Sequence, residues 1–224
     1  MGRVSSVTDA AGATTTFGYD VLGNLTRRTD PAVGSDPAGV STFRYDAVGE
    51  LLAATGATGA ATTATYDDLG RQVTSTIVER YPTPGRTLTT TTAYNDSGTV
   101  SSVRTPDGAE TRFTYNGVGE RVSTTDPLGK KSTVGYDLAG RTTRLTDPLG
   151  LGTRIEYDLA GRAVTMSSMD TNGQVLRTSR TGYDPAGNVV SRTNPLGVTV
   201  TRQVDALGRM VRETEVIPMI GRSS

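Results

Sequence analysis

The chain has 224 residues, of which 34% are hydrophobic and only 5% aromatic, with no Trp, so a dense central core is not expected. Its 23 basic and 23 acidic residues cancel, which leaves no electrostatic footprint for nucleic acid or an anionic membrane. The absence of both Cys and His removes disulfides, a thiol nucleophile, the commonest general base and the commonest zinc ligand.

At the start of the chain, Met1 is followed by Gly-Arg-Val-Ser-Ser rather than by a basic region and an apolar run, so no signal peptide is read here. Nothing further on approaches the roughly 18 apolar residues of a membrane-spanning helix. One short phrase then recurs. Tyr-Asp/Asn-x-x-Gly appears as Tyr19-Asp20 with Gly23, Tyr45-Asp46 with Gly49, Tyr66-Asp67 with Gly70, and Tyr94 with Gly98. It continues as Tyr115 with Gly119, Tyr136-Asp137 with Gly140, Tyr157-Asp158 with Gly161, and Tyr183-Asp184 with Gly187. A ninth copy at Val204 keeps Asp205 and Gly208 and loses the ring. Successive starts are 26, 21, 28, 21, 21, 21, 26 and 21 residues apart, so one period of 21 governs most of the chain.

A second signal falls between those copies: DAAG at Asp9, DPAG at Asp36, TPDG at Thr105, DPLG at Asp126 and Asp147, and NPLG at Asn194. Asp or Asn at the first position can bond the backbone that follows, Pro pre-sets its own backbone angle, and Gly at the fourth accepts a left-handed conformation. Each phrase predicts a type I turn. The Asp-x-x-Gly after each Tyr has the same logic, with a glycine bulge closing a hairpin. What remains of the period is two strands of about six residues, so each repeat reads as one hairpin. Alternation supports strands: Ser41, Phe43 and Tyr45 share one face, as do Thr111, Phe113 and Tyr115, and Thr153, Ile155 and Tyr157. The Ala/Thr/Gly patch from Leu51 to Ala64 reads as a weak strand and loop. The additions in the longer intervals, at 31–39, 78–86 and 168–174, are expected to form longer loops between strands. The hairpins are expected to pair side by side with the Tyr rings on the packed face, giving an all-β, curled antiparallel ribbon.

The phrase YDLAGRTTRLTDPLGLGTRIEYDLAGR, from Tyr136 to Arg162, closely resembles the YD repeat of the rearrangement hotspot (Rhs) proteins, the related toxin-complex shell subunits and the teneurins. The resemblance covers roughly Met1 to Val211. It implies an open segment of a hollow shell that encloses a toxin or other cargo, with further YD repeats of a longer or neighbouring chain as partners, and a secreted or cell-surface location for full-length members. In Rhs proteins a DPxGL phrase marks an autoproteolytic site. DPLGL does occur at Asp147–Leu151, but intact repeats follow it, and it reads as an ordinary turn.

No residue reads as catalytic, cofactor-binding or metal-binding. Almost all of the Asp residues sit at first turn positions, where the backbone already provides partners, and the Gly spacing is that of turns rather than a phosphate loop. Arg71, Arg141, Arg162 and Arg209, just after their turns, are expected to pair with Asp or Glu across strands. Two functions from different classes follow: a non-catalytic structural shell segment, or an adhesive repeat that binds surface carbohydrate. They differ in whether the Tyr rings pack inward or stand free. Residues 1–211 are assigned to an array of about nine repeats and 212–224 to a non-repeat tail. Both ends cut the pattern, which predicts a piece of a longer wall, marginally stable and prone to edge-to-edge association.

Overall fold

The computed structural model describes residues 2–32, 34, 37–79 and 85–218. Among them every regular element is a β-strand, nineteen in all. The chain divides into two units, Met1–Arg112 and Phe113–Ser224. The first contains β1 (Ser6–Thr8), β2 (Thr14–Tyr19), β3 (Leu25–Thr29), β4 (Val40–Tyr45), β5 (Leu51–Thr55), β6 (Ala61–Tyr66), β7 (Gln72–Val78), β8 (Thr87–Tyr94) and β9 (Val100–Arg104). β10 (Glu110–Tyr115) starts there and passes the division at Phe113. The second unit continues with β11 (Arg121–Thr125), β12 (Lys131–Tyr136), β13 (Thr142–Thr146), β14 (Gly152–Tyr157), β15 (Ala163–Met169), β16 (Val175–Tyr183), β17 (Val189–Thr193), β18 (Thr199–Val204) and β19 (Met210–Val216). Within each unit the strands form an antiparallel meander, each pairing with the next in sequence. This is the tandem-hairpin, all-β architecture that the repeat implies.

The turns form as their sequences dictate. Among the described residues every one with positive φ is a glycine, including Gly161 at 80° and Gly150 at 85°. At the hairpins of Tyr19, Tyr45, Tyr66, Tyr94, Tyr136, Tyr157 and Tyr183 the register slips by one at the ring position, as between Glu156 and Tyr157, so the turn carries a glycine bulge.

Two expectations need correction. The Leu51–Ala64 patch is not weak: β5 and β6 pair in regular register around a turn at Gly56–Gly59. That turn lacks Asp and Pro, so its sequence gives little signal. Of the three expected longer loops, 168–174 is a tight turn at Asp170–Gly173 instead, and the extra residues lengthen β15 and β16. The 31–39 addition, with the Asp36 phrase, and the 78–86 addition lie partly outside the described residues. At the C-terminus, β19 runs through the boundary placed between 211 and 212 and pairs with β18 as far as Val216.

The register separates two faces. On one, Thr63 and Thr65 of β6 oppose Thr76 and Thr74 of β7, which oppose Thr89 and Thr91 of β8. Hydroxyl contacts link Thr65 to Thr74 at 2.6 Å and Thr76 to Thr89 at 2.8 Å. In the second unit, taken by itself, Arg144, Arg154 and Ser167 share one face. In the first unit the face opposite the threonines carries Phe17, Phe43 and Ile77, and in the second the face opposite Arg154 carries Val134, Leu145 and Ile155. Little covers either. Met169 is the one buried hydrophobic side chain among the described residues, at 4% exposure, and the other buried residues are Ser123, Gly152 and Ser167. Ile77 is 52% exposed. A single sheet layer buries too little apolar surface to form a core, so backbone ladders and cross-strand side-chain pairs hold the units together.

Candidate functional site

The repeated Tyr turn is the place where the sequence concentrates its chemistry. At Asp158 the backbone N–H donates to Arg162 O at 2.9 Å, and the Gly161 N–H returns to Asp158 O at 3.0 Å. The Asp158 carboxylate adds two more bonds, its Oδ1 accepting from the N–H of Ala160 (3.0 Å) and of Arg162 (2.9 Å). Its other oxygen, Oδ2, takes the Arg162 guanidinium in a fork, with Nε and Nη2 each at 2.7 Å. The Arg162 N–H and then its guanidinium hold the Asp158 carboxyl below its ordinary range. Asp137 and Asp205 are lowered in the same way by Arg141 and Arg209, and Asp67 is lowered chiefly by the Arg71 side chain.

The arginine then reaches the next repeat. Arg162 Cζ lies 4.6 Å from the Tyr183 ring centroid, and its Nη1 donates to Asp184 O at 3.0 Å. Arg141 covers Tyr157 at 4.7 Å and Arg71 covers Tyr94 at 4.6 Å, with Arg71 Nη1 also 3.4 Å from Asn95 O. Six of the rings anchor in the opposite direction. Tyr157 Oη donates to Thr142 O at 2.7 Å, Tyr183 to Ala163 O at 3.2 Å, and Tyr136 to Arg121 O at 3.0 Å. In the first unit Tyr19, Tyr66 and Tyr94 do the same toward Val4, Leu51 and Gln72. Ring, guanidinium and carboxylate therefore make a staple from one hairpin to the following one.

Not every copy is complete. Asp20 and Asp184 bond Asn24 and Asn188 in place of Arg, at 3.0 and 2.9 Å. Asp46 is followed by Glu50, whose carboxyl is raised by desolvation and by the neighbouring Asp46. Tyr45 and Tyr115 share the half-buried setting of the other rings. Gly23, Gly49, Gly70, Gly98, Gly119, Gly140, Gly187 and Gly208 all adopt positive φ, and Val204 sits at the bulge where a Tyr would stand.

Two sequence expectations change here. The rings are half-buried rather than packed in a core, and those of Tyr94, Tyr157 and Tyr183 are covered by guanidinium. The arginines pair with the Asp of their own turn, four residues back, rather than across strands. The recurrence of Arg immediately after the turn Gly was the available signal. Among the described residues no group of Asp and Glu is arranged to hold a metal ion, and no helix is long and apolar enough to cross a membrane.

Comparison with known proteins agrees with the repeat. The RHS Repeat family model matches residues 2–32, 94–131 and 183–216. No curated protein matches the chain. Among solved structures, the crystal structure of TcdB2–TccC3–Cdc42 is similar with a TM-score of 0.66 and that of TcdB2–TccC3 with 0.64. Each is 15% identical and is matched over 93% of this chain and 12% of its own. The likeness is one of fold, and this chain spans about an eighth of the length of those chains.

Proposed function

We propose that this chain, which belongs to the RHS-repeat family, is a structural wall segment of a shell that encloses a toxin or other cargo, and that its role is not catalytic. The observation that carries the reading is the staple. In Arg162, Tyr183 and Asp184, as in Arg71, Tyr94 and Asn95, the conspicuous polar groups are spent on joining one hairpin to the next. Such side chains serve continuity of a sheet and leave few converging groups for chemistry. Further YD repeats are the natural neighbours, and a secreted or cell-surface setting goes with the same reading.

The adhesive alternative needs free aromatic faces for sugar stacking. Guanidinium groups over Tyr94, Tyr157 and Tyr183 weigh against it. Co-expressing the chain with the coding sequence on either side of it and challenging the product with protease tests the shell reading. A flanking segment that survives only in the presence of the repeats supports enclosure. Equal digestion with and without them rules it out, and specific glycan binding lost in Tyr157→Ala with the fold retained establishes the adhesive role instead.

A further inference from the structure

Two Tyr turns open on Asn rather than Asp, at Asn95 and Asn116, and the Pro-type turn at Asn194 does the same. An Asn amide is open to attack by the backbone nitrogen of the residue that follows it, and the three positions differ there. Pro195 has no N–H to lose. Asp96 places a side chain beside the path. Gly117 has none, and even a Cβ built at Gly117 would meet nothing beyond its chain neighbours within 4 Å, so no side chain crowds that residue.

We propose that Asn116 is a self-modification site, at which the folded turn converts the amide through a cyclic imide to aspartate or isoaspartate. Asn116 Oδ1 accepts the N–H groups of Val118 at 3.2 Å and Glu120 at 2.9 Å. Two donors on that oxygen polarise the amide carbonyl and stabilise the negative charge that gathers there on attack, as in an oxyanion hole. Asn116 Nδ2 donates to Glu120 Oε2 at 2.7 Å, which places a carboxylate to receive a proton and pass it to the departing nitrogen. Among the described residues no hydrogen bond engages the Gly117 N–H, while the Gly119 N–H is held by Asn116 O at 3.1 Å. In the reaction a bond forms between Gly117 N and Asn116 Cγ. The Gly117 proton is transferred, the Cγ–Nδ2 bond breaks, and ammonia leaves. One water then opens either imide carbonyl, so amide plus water gives acid plus ammonia with no change of oxidation state.

Asn172-Gly173 is an internal contrast with the same dipeptide. There the Gly173 N–H is held by Asp170 O at 3.0 Å, and among the described residues no donor engages the Asn172 side-chain oxygen. The consequence at 116 is structural. A carboxylate at this position faces Glu120 where an amide now donates, and isoaspartate lengthens the turn backbone between the bonded Asn116 and Glu120 groups.

The test is peptide mapping by mass spectrometry of the intact chain during incubation at neutral to mildly alkaline pH, with ammonia release followed in parallel. Conversion at Asn116 ahead of Asn172 in the folded chain is expected, with the lead lost when the chain is denatured. Glu120→Gln, which can still accept from Nδ2, should slow Asn116 conversion roughly tenfold or more. Gly117→Ala, sterically open and without positive φ, should slow it while leaving the strand content unchanged. The proposal is overturned if Asn172 converts first in the folded chain, or if Asn116 converts at one rate folded and denatured and is indifferent to Glu120→Gln.

Discussion

The two turns that bracket β14 have nearly the same local structure and different reach. At Asp147 the N–H donates to Leu151 O at 2.9 Å, the Gly150 N–H returns at 3.0 Å, and Oδ1 accepts from Leu149 and Leu151, both at 2.9 Å. The Asp158 turn repeats every one of these bonds. It differs in the residue after the glycine, Arg162 against Leu151, and in the Tyr before the Asp. One turn closes a hairpin and stops there. The other also holds the next hairpin through Tyr183 and Asp184. The Asp-x-x-Gly phrase thus determines shape, whereas coupling between repeats runs along the edge where Tyr and Arg stand.

The contrast is broken most severely by removing a ring. Tyr157→Ala is expected to cost about 2–3 kcal/mol, less than for a fully buried aromatic because the ring is half-buried, and including the hydroxyl bond to Thr142. Amide exchange should accelerate through β13 and β14. Tyr157→Phe keeps the ring under Arg141 and should cost only about 1 kcal/mol. If the two substitutions cost the same, the ring contributes nothing beyond its hydroxyl and the staple is wrongly described.

Next come the glycines, which should fail alike because the local turns are alike. Gly161→Val and Gly150→Val each force a branched side chain into left-handed backbone, at about 1–2 kcal/mol. Thr165→Val, on a strand, carries no such strain. Gly161 has a second constraint: a Cβ there would approach Arg141 Nη1 at 3.2 Å and press on the guanidinium that covers Tyr157. Gly129 has nothing within 4 Å of the same position. Alanine at 161 should therefore cost more than alanine at 129, measured by urea denaturation of the full chain.

The arginine contributes less than ring or glycine. Arg162→Leu removes the Asp158 fork, the cover on Tyr183 and the bond to Asp184 O, and is expected to cost about 1 kcal/mol, since the side chain is partly exposed. Its signature is position: faster exchange in β15 and β16, with the Asp158 turn itself intact. Loss confined to residues 158–162 would show that Arg162 serves only its own turn.

How far these features could be read from the sequence follows from the same contrast. Turn positions were legible because Asp at the first and Gly at the fourth place have a local mechanism, and Gly140, Gly161 and Gly208 take positive φ accordingly. The Gly56–Gly59 turn escaped because without Asp or Pro its carbonyl and amide bonds leave no mark on the side chains. Period-2 alternation placed Ile155 and Tyr157 on one face, yet whether anything covers that face is a property of layers, not of one strand. The partner of Arg162 was illegible for a different reason. Asp184 and Tyr183 are brought to it by the width of one complete hairpin, which depends on strand lengths that vary along this chain.

The finest test of the comparison is acid. Asp67, Asp137, Asp158 and Asp205 have carboxyl groups held below their ordinary range, by the N–H and guanidinium of the Arg in the same turn. A carboxyl lowered on folding stabilises the fold at every pH above its unfolded value of about 3.9, and that contribution disappears as pH falls through the lower folded value. Glu50, raised on folding, works in the opposite sense and protonates first in the folded chain. The Asn116 turn makes the same Oδ1 bonds, and Asn95 Oδ1 accepts the Thr99 N–H and the Ser97 hydroxyl, in both cases without a titrating carboxyl at the first position. Exchange measured between pH 5 and pH 2, corrected for intrinsic rates, should therefore rise at residues 137–141 and 158–162 and stay nearly flat at 95–99. Equal acid response at the Asn95 and Asp158 turns would mean that the loss is global, and that the carboxylate–guanidinium pairs do not distinguish one turn from another.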